Sequence, residues 1–200
     1  VGISPQQFAQ MQQRLARPAR APSAPPAPRL APRAAEVILG IDPSLRGTGY
    51  GVIQTGKTGL LTLAQGTIAC PPAWERSRCL AKISVELRGV IREFQPTICV
   101  VEGIFFAQNL KTAIIMGEAR GAALAVAGEA GLEIYELATR KVKQAIVGYG
   151  AAQKLAVAKM VQRMLGLAEL PAPDAADALA LALTHAQTTG RFGLNAPQKI

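Results

Sequence analysis

From residue 36 onward, apolar positions fall into two rhythms, short β-branched runs and longer stretches with helical spacing. VILGID, starting at Val37, is a compact apolar run that ends in an acid, the pattern of a buried strand. The turn-like PSLRGTG follows, then a second strand over about Tyr50–Gln54 and a third over about Leu60–Ile68, with Gly56 to Gly59 as the hairpin turn. Residues 75–94 place Leu80, Ile83, Leu87, Val90, Ile91 and Phe94 on one side of a helix that Pro96 closes. TICVVEG is a further buried strand ending in an acid. An Ala-rich helix over Leu110–Ala130 comes next, then a strand around Leu132–Tyr135 and helices over Thr139–Val147, Ala151–Leu165 and Ala175–Thr188. The order βββαβαβααα predicts an α/β domain, a five-stranded mixed sheet flanked by helices.

Residues 1–35 break this pattern. They are rich in Ala, Pro and Gln and include PARAPSAPPAPRLAPR, too little apolar surface to offset the entropy of ordering, so a disordered tail is expected. The domain is expected over 36–190 and a flexible tail over 191–200. The chain carries +9 in all, of which Arg14, Arg17, Arg20, Arg29 and Arg33 place +5 in the acid-free tail and leave +4 for the rest. A basic balance suits a polyanion such as nucleic acid, and equally plain solubility. No apolar run approaches the roughly 18 residues of a membrane span, and no secretory leader is evident. Cys70, Cys79 and Cys99 form no CxxC pair and share the chain with one histidine, His185, so neither zinc nor a disulfide framework is indicated, and reduced thiols in the cytoplasm fit better.

Four acids stand out. Asp42 and Glu102 terminate buried strands, at the sheet edge where ligands of open α/β folds bind. Asp174 and Asp177, three apart at the start of the last helix, share one face. Singly, Asp174 reads as well as an N-cap and Asp177 as a first-turn acid set in the helix dipole. Together they are hard oxygen donors of the kind Mg²⁺ prefers, and two such ions about 4 Å apart can clamp both oxygens of a phosphodiester displacement. The stretch ATRKVKQAIVGYGAAQKLAVAK adds Arg140, Lys141, Lys143, Lys154 and Lys159 without an acid, either a phosphate-tracking surface or a solvated helical face. Phe105 follows the Glu102 strand in a loop, where it could stack on an unpaired base. His185 reads as a packed histidine, Trp74 and Tyr50 as core or rim residues.

Taken in order, ILGIDPSLRGTGYGVI, VVEGIFFAQN, GEARGAAL, RKVKQAIVGYGAAQK and DAADALALALTH resemble the motifs of RuvC-type crossover junction endodeoxyribonucleases over about Val37 to Gln187. The resemblance implies a ribonuclease H-like fold and metal-dependent resolution of four-way DNA junctions by paired symmetric nicks, in recombination and repair. It places the catalytic, metal-binding carboxylates at Asp42, Glu102, Asp174 and Asp177, with two Mg²⁺ per site for which Mn²⁺ substitutes. It further implies Lys143 and Lys154 near the scissile phosphate, Phe105 as the wedge at the crossover, a homodimer and a branch-migration motor as partner. Arg140 and Lys141 join the expected DNA-binding surface. The chain departs from the family where Ser44 stands for its usual glycine, where Gln108 stands for a basic residue of some relatives, and in the arginine-bearing tail. Two other readings share this pattern: a junction-binding module without catalysis, and a nucleotide-binding ATPase, which would need a second domain of the same kind.

If the five tail arginines contact phosphate, deleting residues 1–35 makes the log–log dependence of DNA affinity on salt shallower. Binding titrations at several salt concentrations measure that slope, and an unchanged slope removes the tail from the interface.

Overall fold

A computed structural model describes residues 35–57, 59–104, 109–188 and 197–200. The tail expected over 1–35 falls, apart from Ala35, outside the described residues, as do Phe105 and Gln108. The elements run β1 (Val37–Asp42), β2 (Gly47–Gly56), β3 (Gly59–Ala69), α1 (Arg76–Phe94), β4 (Ile98–Glu102), α2 (Leu110–Glu129), β5 (Glu133–Leu137), α3 (Thr139–Val147), α4 (Lys154–Leu165), α5 (Pro173–Thr188) and β6 (Gln198–Lys199). They build one mixed sheet in the order β3-β2-β1-β4-β5-β6. The hairpins β1/β2 and β2/β3 are antiparallel, β1/β4 and β4/β5 are parallel, and β6 returns antiparallel to β5.

The sheet therefore has six strands where the sequence pattern gives five. β6 lies in the stretch expected to be a flexible C-terminal tail, where Lys199 pairs with Tyr135 and Gln198 with Glu136. Two residues are too short for any alternation to register, yet they cover an edge of β5 that would otherwise expose unpaired backbone groups.

Strand alternation divides the core. Leu39, Ile41, Val52 and Cys99 face α1 and α2, while Ile38, Ile53, Ile98 and Val100 face α3, α4 and α5. With a period of two, Gly40 and Asp42 follow Ile38 onto the second face, and Glu102 follows Ile98 and Val100 onto the same one. Parallel pairing runs Ile38↔Ile98 to Ile41↔Val101, so the two acids lie side by side one row beyond its end.

Where glycines line β1 and β2, the amino half of helix α5 rests on this face with almost no side chain between it and the strands. A Cβ on Gly40 would stand 1.9 Å from the carbonyl oxygen of Ala178, one on Gly49 2.0 Å from that of Asp174, and one on Gly51 2.7 Å from the Leu179 side chain. Gly47 and Gly49 thus read as part of a turn in sequence but belong, with Gly51, to β2, where alternate positions must be bare. The helix compensates by burying Ala175, Ala176 and every residue from Ala178 to His185. It also explains why β2 begins at Gly47 rather than near Tyr50.

Gly40→Ala therefore drives a methyl into a backbone carbonyl, and we expect a loss of about 3 kcal/mol, roughly 10 °C in thermal midpoint. Gly89→Ala, in the interior of α1 with nothing within 4 Å of the added methyl, should instead gain up to about 1 kcal/mol. Thermal melts of the two variants test whether close approach, rather than glycine replacement as such, sets the cost.

Candidate active site

Three elements deliver the four acids. β1 and β4 end in Asp42 and Glu102, and α5 begins at Pro173, with Asp174 in its first turn and Asp177 one turn further. Proline is well tolerated at a first helical position because that N–H has no intrahelical partner. Seating α5 on Gly47 and Gly49 sets the depth of its amino end, and a Cβ at Gly47 would stand 2.8 Å from Asp174 Oδ2.

The acids act on one another. Burial pushes the Asp42 carboxyl from 3.8 up to about 8, assisted by the charge of Glu102, a hydrogen bond with the Glu102 side chain and the charge of Asp177. Asp177 is raised as well, chiefly by burial, which outweighs the ammonium of Lys154 beside it. That ammonium, Lys154 Nζ, lies 2.8 Å from Asp177 Oδ2, and Lys154 is raised in turn, first by this hydrogen bond. Glu102 Oε1 accepts a 2.6 Å hydrogen bond from the hydroxyl of Thr139, the first residue of α3. Asp42 is thus a carboxylate whose charge the fold opposes, next to two more acids. Such a group suits a hard cation with oxygen ligands. As they stand, no group of three or more His, Cys, Asp or Glu among the described residues forms a ready metal site.

The basic candidates separate. Lys154 joins the acids directly. Lys143 lies one turn beyond Thr139 on the same side of α3 and forms no ion pair among the described residues. Arg140 packs its aliphatic stem where a Cβ on Gly150 would stand 2.4 Å from its Cγ. Lys141 turns the other way, lining a cavity of about 330 Å³ with Leu137, Gln144, Thr184 and Thr188 towards the carboxyl end of α5. Phe105 lies outside the described residues. Ser44 carries no positive φ, since Gln95 is the one non-glycine residue in that region among the described residues. The Thr48 hydroxyl donates to the Ser44 carbonyl at 2.6 Å and accepts from its N–H at 3.3 Å, so the turn holds without glycine. His185 is buried with its ring 4.6 Å from that of Tyr135. The three cysteines are buried free thiols. Thr139 escapes sequence reading, because a threonine opening a helix carries no sign of which acid it will meet.

A mixed sheet flanked by helices, whose adjacent parallel strands end in acids and whose last helix brings two more, has the ribonuclease H-like architecture. The family model described as crossover junction endodeoxyribonuclease RuvC matches residues 38–185. A protein of that name from Bordetella avium is 44% identical over 151 residues, 76% of this chain and 83% of its own length. Another from Akkermansia muciniphila is 45% identical over 148 residues, 74% of this chain and 89% of its own. The solved structure of Thermus thermophilus RuvC in complex with a Holliday junction substrate superposes with a TM-score of 0.74 at 35% identity, covering 82% of this chain and 99% of that one. The chain belongs to the RuvC family of crossover junction endodeoxyribonucleases, hydrolases that act on DNA. Nucleases of this family are metal-dependent. Among the described residues no helix is long and apolar enough to cross a membrane.

A raised carboxyl pKa has a definite sign in stability. Folded Asp42 keeps its proton to about pH 8 while the unfolded chain releases it near 3.8, so this group's contribution is present below that lower value and lost as pH climbs towards 8. In EDTA, the thermal midpoint should fall between pH 5 and 8, and fall several degrees less in Asp42→Asn. Parallel curves for the two proteins would show that Asp42 is not held protonated.

Proposed function

We propose that the chain resolves four-way DNA junctions by hydrolysing one phosphodiester at each of two symmetric sites, with Asp42, Glu102, Asp174 and Asp177 holding two Mg²⁺ ions, or Mn²⁺ in their place. The observation that carries this reading is the convergence of acids from three elements, Asp42 and Glu102 at the ends of paired strands and Asp174 and Asp177 at the start of α5, with Asp42 buried beside Glu102 and Asp177, where its charge is costly unless a cation sits there. When bound, the ions would polarise the attacking water and offset charge on the leaving oxygen.

The side chains supply the rest. Asp42 gives up its proton before it can act as a ligand, so activity rises with pH through the range in which it ionises. Lys154, engaged with Asp177 at 2.8 Å, is placed to turn to a phosphate oxygen once another cation neutralises that acid. Lys143, on the Thr139 side of α3, tracks the same strand, and Arg140 extends this surface. Lys141, turned towards the far end of α5, contacts DNA away from the scissile bond if at all. Phe105, following the Glu102 strand, is the wedge at the crossover. Water attacks phosphorus and releases a proton to solvent, the P–O bond to one flanking sugar breaks, and the departing oxygen takes up a proton from solvent.

Two nicks on opposite strands need two sites, hence a homodimer, and timing with branch migration calls for a motor complex as partner, in the cytoplasm. A catalytically silent junction binder is the weaker reading, because clustered carboxylates beside phosphate oppose binding unless they serve chemistry.

A synthetic mobile four-way junction in Mg²⁺ tests the proposal. Wild type should give paired symmetric nicks, faster at pH 8 than at pH 5, and Asp42→Asn should lose at least about a hundredfold in rate while still retarding the junction in a gel. Retardation by wild type with no nicking in Mg²⁺ or Mn²⁺ would leave only the binding module.

A further inference from the structure

Two of the acids at the sheet edge have partners of different kinds. Asp177 faces an ammonium, which neutralises it and competes with any other cation. Glu102 faces the Thr139 hydroxyl at 2.6 Å, a donor that carries no charge. At that length the hydrogen bond is at the short end of the O–H···O range. It engages one carboxylate oxygen, Oε1, while the Glu102 side chain also bonds Asp42.

Local structure explains why Thr139 is there. Gly103 N–H donates to the Leu137 carbonyl at 3.0 Å, tying the end of β4 to the end of β5, and α3 begins two residues later. Ala138, at the N-cap, has no side chain to offer the first turn, and that turn contains no acid. Glu102 therefore meets the amino end of α3, where the helix dipole favours an anion, through the hydroxyl of its first residue. Alanine or proline at 139 would start the helix as well but leave the carboxylate unheld.

We infer that Thr139 is a positioning residue for Glu102, its hydroxyl holding the carboxylate in the orientation that binds a divalent cation. This rests on the reading of the four acids as cation ligands. A glutamate has several side-chain torsions to fix before it can ligate, and a neutral donor that fixes them beforehand lowers the ordering cost without consuming the charge. Lysine or arginine at 139 would hold Glu102 as firmly but would stand in the cation's place. Hydroxyl chemistry is therefore what the position requires, and serine should satisfy it.

The test is Mn²⁺ binding to the full chain, measured by calorimetry at pH 8 without DNA, for wild type, Thr139→Val, Thr139→Ser and Glu102→Gln. Thr139→Val keeps the β-branched shape and removes the donor, and it should weaken Mn²⁺ roughly tenfold, with Thr139→Ser restoring most of the loss. Its thermal midpoint in EDTA and its junction affinity in EDTA should match wild type, which a general loss of folding would not allow. Wild-type Mn²⁺ affinity in Thr139→Val, with Glu102→Gln weakened, overturns the positioning role and leaves the cation site standing. Unchanged affinity in Glu102→Gln overturns the cation-site reading, and the role of Thr139 with it.

Discussion

The seat of α5 on bare strand backbone is the constraint on which this molecule turns. Helices ordinarily pack on sheets through a layer of side chains from both. Here Gly40, Gly49 and Gly51 remove the sheet's contribution, and Ala178 and Leu179 come down onto the backbone itself. That approach sets the height of the helix, and with it the position of Asp174 and Asp177 over the strand ends. A methyl group at any of these glycines would have to lift the helix, and the two carboxylates would rise with it. Packing and site geometry are therefore one quantity, because dense interiors transmit a displacement rather than absorb it.

The acids on the strands are placed by a different rule, one that leaves little to side-chain packing. Asp42 and Glu102 share a face because each lies an even number of residues from an inward isoleucine, Ile38 and Ile98, which pair directly. Backbone pairing brings them together whatever surrounds them. The cost appears in Asp42, whose charge burial and neighbouring acids resist. Folding alone would favour a neutral residue at that end of β1. Retaining an acid there is a local conflict between stability and chemistry, the kind expected at functional sites.

Much of this was legible in the chain, for identifiable reasons. β1, β4 and α3 announce themselves because period and length agree, and the acids at strand ends stand out because an acid after an apolar run needs a partner. What was not legible depended on contacts distant in sequence. The GTG of residues 47–49 looked like the end of a turn, since nothing near residue 47 says that a helix starting at 173 will press on it. β6 left no pattern, being two residues held by the edge of β5. Charge alone did not separate Lys141 from Lys143 in the basic stretch, although the family motifs singled out Lys143; the helical rotation of α3 sends Lys141 towards Thr184 and Thr188 and Lys143 to the Thr139 side. Thr139 itself was invisible, because its meaning is given by Glu102, 37 positions earlier.

Ser44 shows how the same reasoning separates a departure that matters from one that does not. A glycine is required in a turn only where the backbone takes positive φ or where another group occupies the space of a Cβ. Ser44 meets neither condition: its φ is not positive, and its side chain is exposed. The turn after Asp42 is closed instead by Thr48, which bonds the Ser44 carbonyl and N–H, while Arg46 reaches across to the Pro71 carbonyl at 2.6 Å. Leu45 is buried between these ties. Asp42 thus leaves β1 into a turn held from both sides, and its direction is set by hydrogen bonds that a glycine at 44 would not add to. The backbone at 44 does not require glycine because the constraint lies in its neighbours, whereas a change at Gly47 or Gly49, equally small in composition, would reach Asp174 at once.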